Sequence, residues 1–258
     1  STQAGGGGGG LGATPAYGSQ SAALGFASNA QAPTVAAIAP ATVNAGDLLI
    51  CHVMTRDDTF VTTCGTPSGF TAFPGNPYGT LTSTTYIPRV FLFWKIADGT
   101  EDGATINVTT SLHSTSATAR GTFVSYYRFT AADGFNQTTP IEAIAVAEEN
   151  STNTAGNNLT CPTVVCGGNN RLAVVAAAVN NNAGSTGDLS PTGETGGNWA
   201  QVGAEFESAT GGNATLSMHA ATMSSGGTIS GGAVVYGGAG GWFVNVGFAL
   251  VPADTAGA

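Results

Sequence analysis

Arg89-Val-Phe-Leu-Phe-Trp-Lys-Ile-Ala97 is the stretch that decides the fold. A strand turns successive side chains to opposite faces, so Val90, Leu92, Trp94 and Ile96 share one face and Phe91, Phe93 and Lys95 the other. Large apolar groups stand on both faces, and such a strand needs cover on both. Working outward, Ala22 to Ser28, Leu48 to Met54, Ala104 to Thr110 and Ala119 to Phe129 are further strand candidates in the first half. Leu172 to Val179, Trp199 to Glu205, Ala214 to Met223, Gly227 to Val235 and Trp242 to Val251 follow in the second. Clusters of Gly, Asn, Asp and Pro punctuate them, as in all-β chains. Only Ile141 to Glu149 is ambiguous between helix and strand.

Composition narrows the possible partners. Charged residues make up 8% of the 258, against about a quarter in an ordinary soluble domain. Lys95 is the single lysine and the net charge is −9, which excludes nucleic acid as a partner, since phosphate binding needs a basic surface. Gly, Thr, Ser or Asn interrupts every apolar stretch before the ~18 residues that a membrane-spanning helix requires, so no membrane partner is expected. Recurrent Val, Ile, Phe, Trp and Tyr oppose wholesale disorder despite 39 glycines.

The order of elements recurs. PATVNAGDLLICHV from Pro40 is echoed by PTVVCGGNNRLAVVAAAV from Pro162, and SGFTAF (68–73) by GGNWAQV (196–202). EDGATINVT (101–109) returns as SGGTISGGAV (225–234), and RGTFVSYYRF (120–129) as GGWFVNVGFAL (240–250). The expected architecture is a β-sandwich, jelly-roll-like, with two pseudo-repeated halves over about 18–131 and 160–253 in one unit, 18–258. Two small sandwiches in tandem is the other arrangement that the echo permits. Residues 1–17, with Gly5, Gly6, Gly7, Gly8, Gly9 and Gly10 in one run, are expected to form a flexible tail or an anchor. The opening Ser-Thr-Gln-Ala shows neither basic segment nor apolar core, so the chain reads as one made in a cytosol without export.

Chemistry-bearing residues are sparse. His52, His113 and His219 have no nucleophile in a recognisable turn, and packed histidines are the expectation at 52 and 219. Asp98, Glu101 and Asp102 fall within five residues, a spacing hard cations use, but the Asp-Gly steps read better as a hydrated hairpin loop. No metal, no cofactor and no catalytic residue is expected. Four cysteines at 51, 64, 161 and 166 group two and two, which permits Cys51–Cys64 and Cys161–Cys166 bridges. Loop aromatics are the remaining recognition groups: Phe73, Tyr78, Tyr86 and Trp199 are the candidate binding residues for a host-surface glycan. FTAFPGNPYGTLTSTTY (70–86), which carries three of them, is the longest irregular stretch.

AGDLLI (45–50), PSGFTAF (67–73), FLFWKIADGTEDGATINVT (91–109), YYRF (126–129) and WFVNVGFALVPA (242–253) together resemble a β-sandwich family. It occurs in virion structural proteins of tailed bacteriophages, such as capsid decoration proteins, head fibres and minor tail proteins, and in related prophage and gene-transfer particles. The resemblance spans roughly 18–253 and implies a non-enzymatic virion protein whose partners are other virion proteins, major capsid or tail proteins, assembled in the host cytoplasm. Residues 1–17 would dock it on the particle. Exposed β edges in so uncharged a chain favour a homo-oligomer. The alternative is a secreted, extracellular carbohydrate-binding or adhesin-like module.

Overall fold

The structure is a computed structural model and describes residues 12–21, 25–27, 34–57, 63–80, 87–111, 121–150, 157–181, 189–208, 214–236 and 241–254. The protein is all-β, with nineteen strands and no helix among the described residues. One large antiparallel sheet has the order β1 (Ala16–Gln20), β9 (Gly121–Thr130), β4 (Leu48–Asp57), β7 (Ile87–Ile96), β6 (Thr71–Ala72), with β2 (Gly25–Ala27) also on β9. The second has the order β10 (Ile141–Asn150), β19 (Gly241–Leu250), β13 (Arg171–Asn181), β17 (Ala214–Met223), β15 (Ala200–Gln201), with β16 (Phe206–Ser208) also on β17. Two smaller sheets complete the molecule. One is β3 (Thr34–Ile38), β8 (Thr105–Ser111), β5 (Thr63–Cys64); in the other, β18 (Gly227–Tyr236) pairs with β11 (Asn157–Thr160), β12 (Val164–Cys166) and β14 (Leu189–Thr195). Both halves of the chain thus lay their strands down in the same spatial order.

The large sheets pack on each other, and each carries a small sheet on its other face. Alternation along β4 shows how the sequence specifies this: Leu48, Ile50 and Met54 enter the core between the large sheets, while Leu49, Cys51 and Val53 enter the core under β3 and β8. In β7, Val90, Leu92, Trp94 and Ile96 take the central side and Phe91 and Phe93 the outer side, as the 89–97 pattern requires. The second half repeats the device: Leu172, Val174, Ala176 and Ala178 of β13 face the centre, and Ala173 and Val175 meet Val164, Cys166 and Ile229. The outer strands need only one apolar face, so β8 alternates exposed and buried along its whole length.

Several expectations shift. Ile141 to Glu149 resolves as strand β10. Trp199 to Glu205 contracts to the two residues of β15. Ala16 and Tyr17, expected in the tail, begin β1 opposite Thr130 and Phe129, because the Tyr17 ring gains an edge-on contact with Phe129. Gly12 is already fixed: its N–H donates to Ala253 O at 2.9 Å and its carbonyl accepts from Asn170 Nδ2 at 3.1 Å. A Cβ at Gly12 would come within 2.5 Å of that Ala253 carbonyl. The glycine run at 5–10 lies outside the described residues.

The molecule has two unlike poles. Ala16, Leu48, Ile96 and Thr130 end the first large sheet on the side where Ile141, Arg171, Met223 and Leu250 end the second. Gly12, Ala13, Asp133, Asn170 and Ala253 tie those ends together. At the opposite pole stand Asp57, Ile87, Gly121, Asn150, Asn181, Ala214 and Gly241.

Phe248 bridges the halves: it is fully buried in the central core, its ring centroid 5.0 Å from that of Phe73 at 81°. Phe248→Ala is expected to cost about 3–5 kcal/mol, the range for deleting a buried ring. Urea unfolding should show one transition displaced as a whole; separate transitions for the halves would show that the central core does not couple them.

Candidate functional site

The irregular stretch singled out in the sequence folds onto the free edge of β7. Thr71 and Ala72 pair with Trp94 and Phe93, and Phe73 N–H continues to Leu92 O at 2.9 Å. Asn76 then stands in for a strand residue: its Nδ2 donates to Leu92 O at 2.7 Å and its Oδ1 accepts from Leu92 N–H at 3.1 Å. Tyr78 and Val90 exchange backbone bonds at 2.8 and 3.0 Å. The Asn76–Pro77 peptide bond is cis. At Gly79, φ is 101° and a Cβ would sit 3.0 Å from both Pro88 O and Val244 Cγ2, so only glycine fits there.

A groove lies on either side of this loop. Cys64, Asn76, Phe91 and Phe93 line one of about 210 Å³, under β5. The other, of about 470 Å³, runs between the loop and β10, lined by Pro74, Pro77, Tyr78, Ile144, Val146 and Glu148. Glu148 fastens the loop to β10, accepting from Thr80 N–H at 2.5 Å and from Thr80 Oγ1. The chain reversal at Pro74–Tyr78 is held by Tyr78 Oη, which donates to Pro74 O at 2.6 Å. Asn76, Ile144 and Val146 were not singled out by sequence reasoning, and Glu148 only as half of the acidic pair Glu148-Glu149. The signal for Ile144 and Val146 was the ambiguous 141–149 run, whose alternation shows a strand once its neighbour β19 is known.

The candidate recognition aromatics are corrected by their burial. Phe73 is 2%, Tyr78 5% and Trp199 5% exposed, so none presents a ring face to a sugar. Phe73 packs on Phe248, Tyr78 closes the central core, and Trp199 packs with Val175, Met223 and Ile229 under the second small sheet. Apolar loop rings gain more by sealing the open ends of a sandwich than by standing in water. Tyr86 lies outside the described residues.

Asp98, Glu101 and Asp102 serve the hairpin. Lys95 Nζ pairs with Glu101 and lies 3.5 Å from Asp98, Asp98 caps Thr100 N–H at 2.9 Å, and Asp102 turns away to Val43 N–H. The hydrogen bond that Lys95 donates to Glu101 chiefly raises the Lys95 pKa above its ordinary value. No group of three or more metal-ligating side chains occurs among the described residues.

All four cysteines are free thiols, which corrects both proposed bridges. Cys51 and Cys64 approach the same outer core from different sheets, with the Cys51 thiol against Tyr126. Cys161 and Cys166 belong to separate clusters, one with Leu159 and Phe243, the other with Val164 and Trp199. Burial pushes the Cys64 thiol up to about 12 and that of Cys166 to about 11. Thiol counting should find four per denatured chain and little native reaction at pH 8; a mass 2 Da short per bridge would show otherwise.

His52 and His219 are packed, as expected. His52 lies on the inner face of β4 opposite Ser125, fully buried, and neither ring nitrogen has a hydrogen-bond partner; burial lowers its pKa to about 3. His219 Nε2 bonds Ser217 Oγ at 2.8 Å, and burial lowers its pKa to about 4. His113 lies outside the described residues. Both folded values lie below the unfolded value of 6.5, so the stability from keeping these rings neutral is whole above pH 6.5 and is lost as pH falls toward 4 and 3. Each can contribute up to about 1.4 kcal/mol per pH unit in that window. Urea midpoints between pH 7 and 4.5 should fall less steeply in His52→Met; an unchanged slope would remove His52 from the acid response. Comparison with protein-family models, with curated proteins and with solved structures gives no match to this chain.

Proposed function

We propose that the protein is a non-enzymatic structural component of a tailed-bacteriophage particle, projecting from the surface as a capsid decoration, head-fibre or tail protein. The observation that carries this reading is the two-ended layout. The chain enters the sandwich at Gly12 and leaves it at Ala253, side by side at one pole, and the glycine-rich 1–11 precedes Gly12 in the sequence. The strand ends Asp57, Ile87, Gly121, Asn150, Asn181, Ala214 and Gly241 gather at the other. A module held by its terminal pole presents the opposite one outward. The glycine run suits close docking on a partner backbone, having no side chains to clash. Few charges and many Thr, Ser and Asn residues suit assembly on something large. The glycan-binding alternative loses three of its four residues, since Phe73, Tyr78 and Trp199 are inside.

The docking segment is redrawn as residues 1–11, because 12–20 belong to the sandwich. Quantitative mass spectrometry of purified particles should find the chain in fixed stoichiometry, and deletion of 1–11 should abolish incorporation while leaving the urea midpoint unchanged. Chain found only free in the medium, or full retention of the deletion variant on particles, overturns the corresponding half of the proposal.

A further inference from the structure

We infer that β10 is a strand-docking edge: it takes an extended segment of a partner protein that carries apolar side chains two residues apart and basic residues beside them. The inference rests on the geometry of β10 and not on the particle reading. In the second large sheet β10 pairs with β19 on one side, and no strand pairs with its other side among the described residues. Its start is irregular, with a bulge between Glu142 and Ala145 and Ala143 at φ 58°, but Ala145 to Asn150 is a regular run of six. Free backbone N–H and C=O groups along such a run are a template for one more strand.

The two sides of the central core differ in the way this requires. At β1, the gap between the large sheets is shut: Tyr17, Val202 and Phe206 pack on the core, and Gln20 Oε1 accepts from Ala204 N–H at 2.7 Å. At β10, the corresponding gap is the 470 Å³ groove, and Val146, which points into the same side of the sheet as the core residues, is 43% exposed. Added side chains at alternate positions of a docked strand reach this groove, since strand side chains repeat every two residues.

Charge selects the occupant. Three of the ten β10 residues, Glu142, Glu148 and Glu149, are acidic, in a chain of net charge −9; Glu142 is paired with Arg171 Nε at 2.9 Å, which leaves the acidic positions 148 and 149 on the regular part of the edge. A second copy would set this acidic end against its own kind, which is unfavourable for like charges. Basic residues in the partner strand meet the opposite condition.

The test uses the full chain and a fluorescein-labelled probe, Lys-Val-Thr-Val-Lys-Val-Thr, with Glu-Val-Thr-Val-Glu-Val-Thr as its acidic counterpart. Fluorescence polarisation should show the basic probe binding at least tenfold more tightly, and amide exchange should slow at Ala145 to Ala147. Val146→Thr, which keeps the strand, should weaken binding several-fold, and Val146→Asp should abolish it with the urea midpoint within error of the parent. No binding of the basic probe, equal binding of both probes, or protection away from β10 each overturns the inference. So does a concentration-dependent dimer in sedimentation that Val146→Asp dissolves, since the edge would then belong to a second copy.

Discussion

Everything in this fold depends on strands that are apolar on both faces. β4, β7, β9, β13 and β19 cannot sit at a surface, because each turns buried apolar side chains in both directions. Two such sheets can hide one face of each by packing together. The remaining faces then need a further layer apiece, which β3, β8 and β5 supply on one side and β11, β12, β14 and β18 on the other. Four layers follow from that requirement, with the central core drawing residues from both halves of the chain. At roughly 25 cal/mol per Å² of apolar surface removed from water, a core shared between halves favours one body over two tandem ones.

This logic was legible in single strands and obscure between them. The 89–97 alternation assigned every side chain to the correct face without knowledge of any partner, because the two-residue period is local. Ala214 to Met223 was bounded to the residue for the same reason. The aromatics at 73, 78 and 199 were misjudged because a loop residue has no period: whether its ring meets water depends on which sheet end it covers. The cysteines failed similarly. Spacing in sequence places Cys161 and Cys166 near each other along the chain, but Pro162 falls at the break between β11 and β12, and the residues on either side enter different clusters. The β10 wall of the larger groove was invisible because an alanine- and glutamate-rich run is neutral between helix and strand until β19 lies beside it.

The polar residues inside the sandwich show how the break is accommodated. Asn245, buried on the outer face of β19, donates its Nδ2 to Leu159 O at 3.3 Å and Thr160 O at 2.9 Å, so the carbonyls that end β11 are satisfied from below. Two residues on, Gly247 leaves the space that Pro162 and Val164 occupy: a Cβ there would lie 2.8 Å from Pro162 Cγ and 2.6 Å from Val164 Cγ2. Proline removes a donor and glycine admits its ring, while the asparagine amide bonds the last carbonyls of β11. Beyond the break β12 resumes on β18 in the register that β11 held, Thr160 opposite Ala233 and Val164 opposite Ile229.

His52 marks the contrasting case of a polar group with no such compensation. Its neighbours across the strands are Ser125 and Leu92, and Ser125 Oγ is taken by Gln20 Nε2 at 2.9 Å, the same amide whose oxygen holds Ala204. Gln20 spends both ends of its side chain on closing the β1 side of the central core, and neither ring nitrogen of His52 has a hydrogen-bond partner. At the β10 side the equivalent crossing is made by Glu148 to Thr80, a carboxylate that can only accept. An amide reaches both into the core and across to the opposite loop; a carboxylate grips only the loop, and the apolar ground behind it, Ile144 and Val146, is left without a lid. The two seams thus differ in what crosses them: Gln20 together with Tyr17, Val202 and Phe206 at β1, and the Glu148–Thr80 bonds beside the groove at β10.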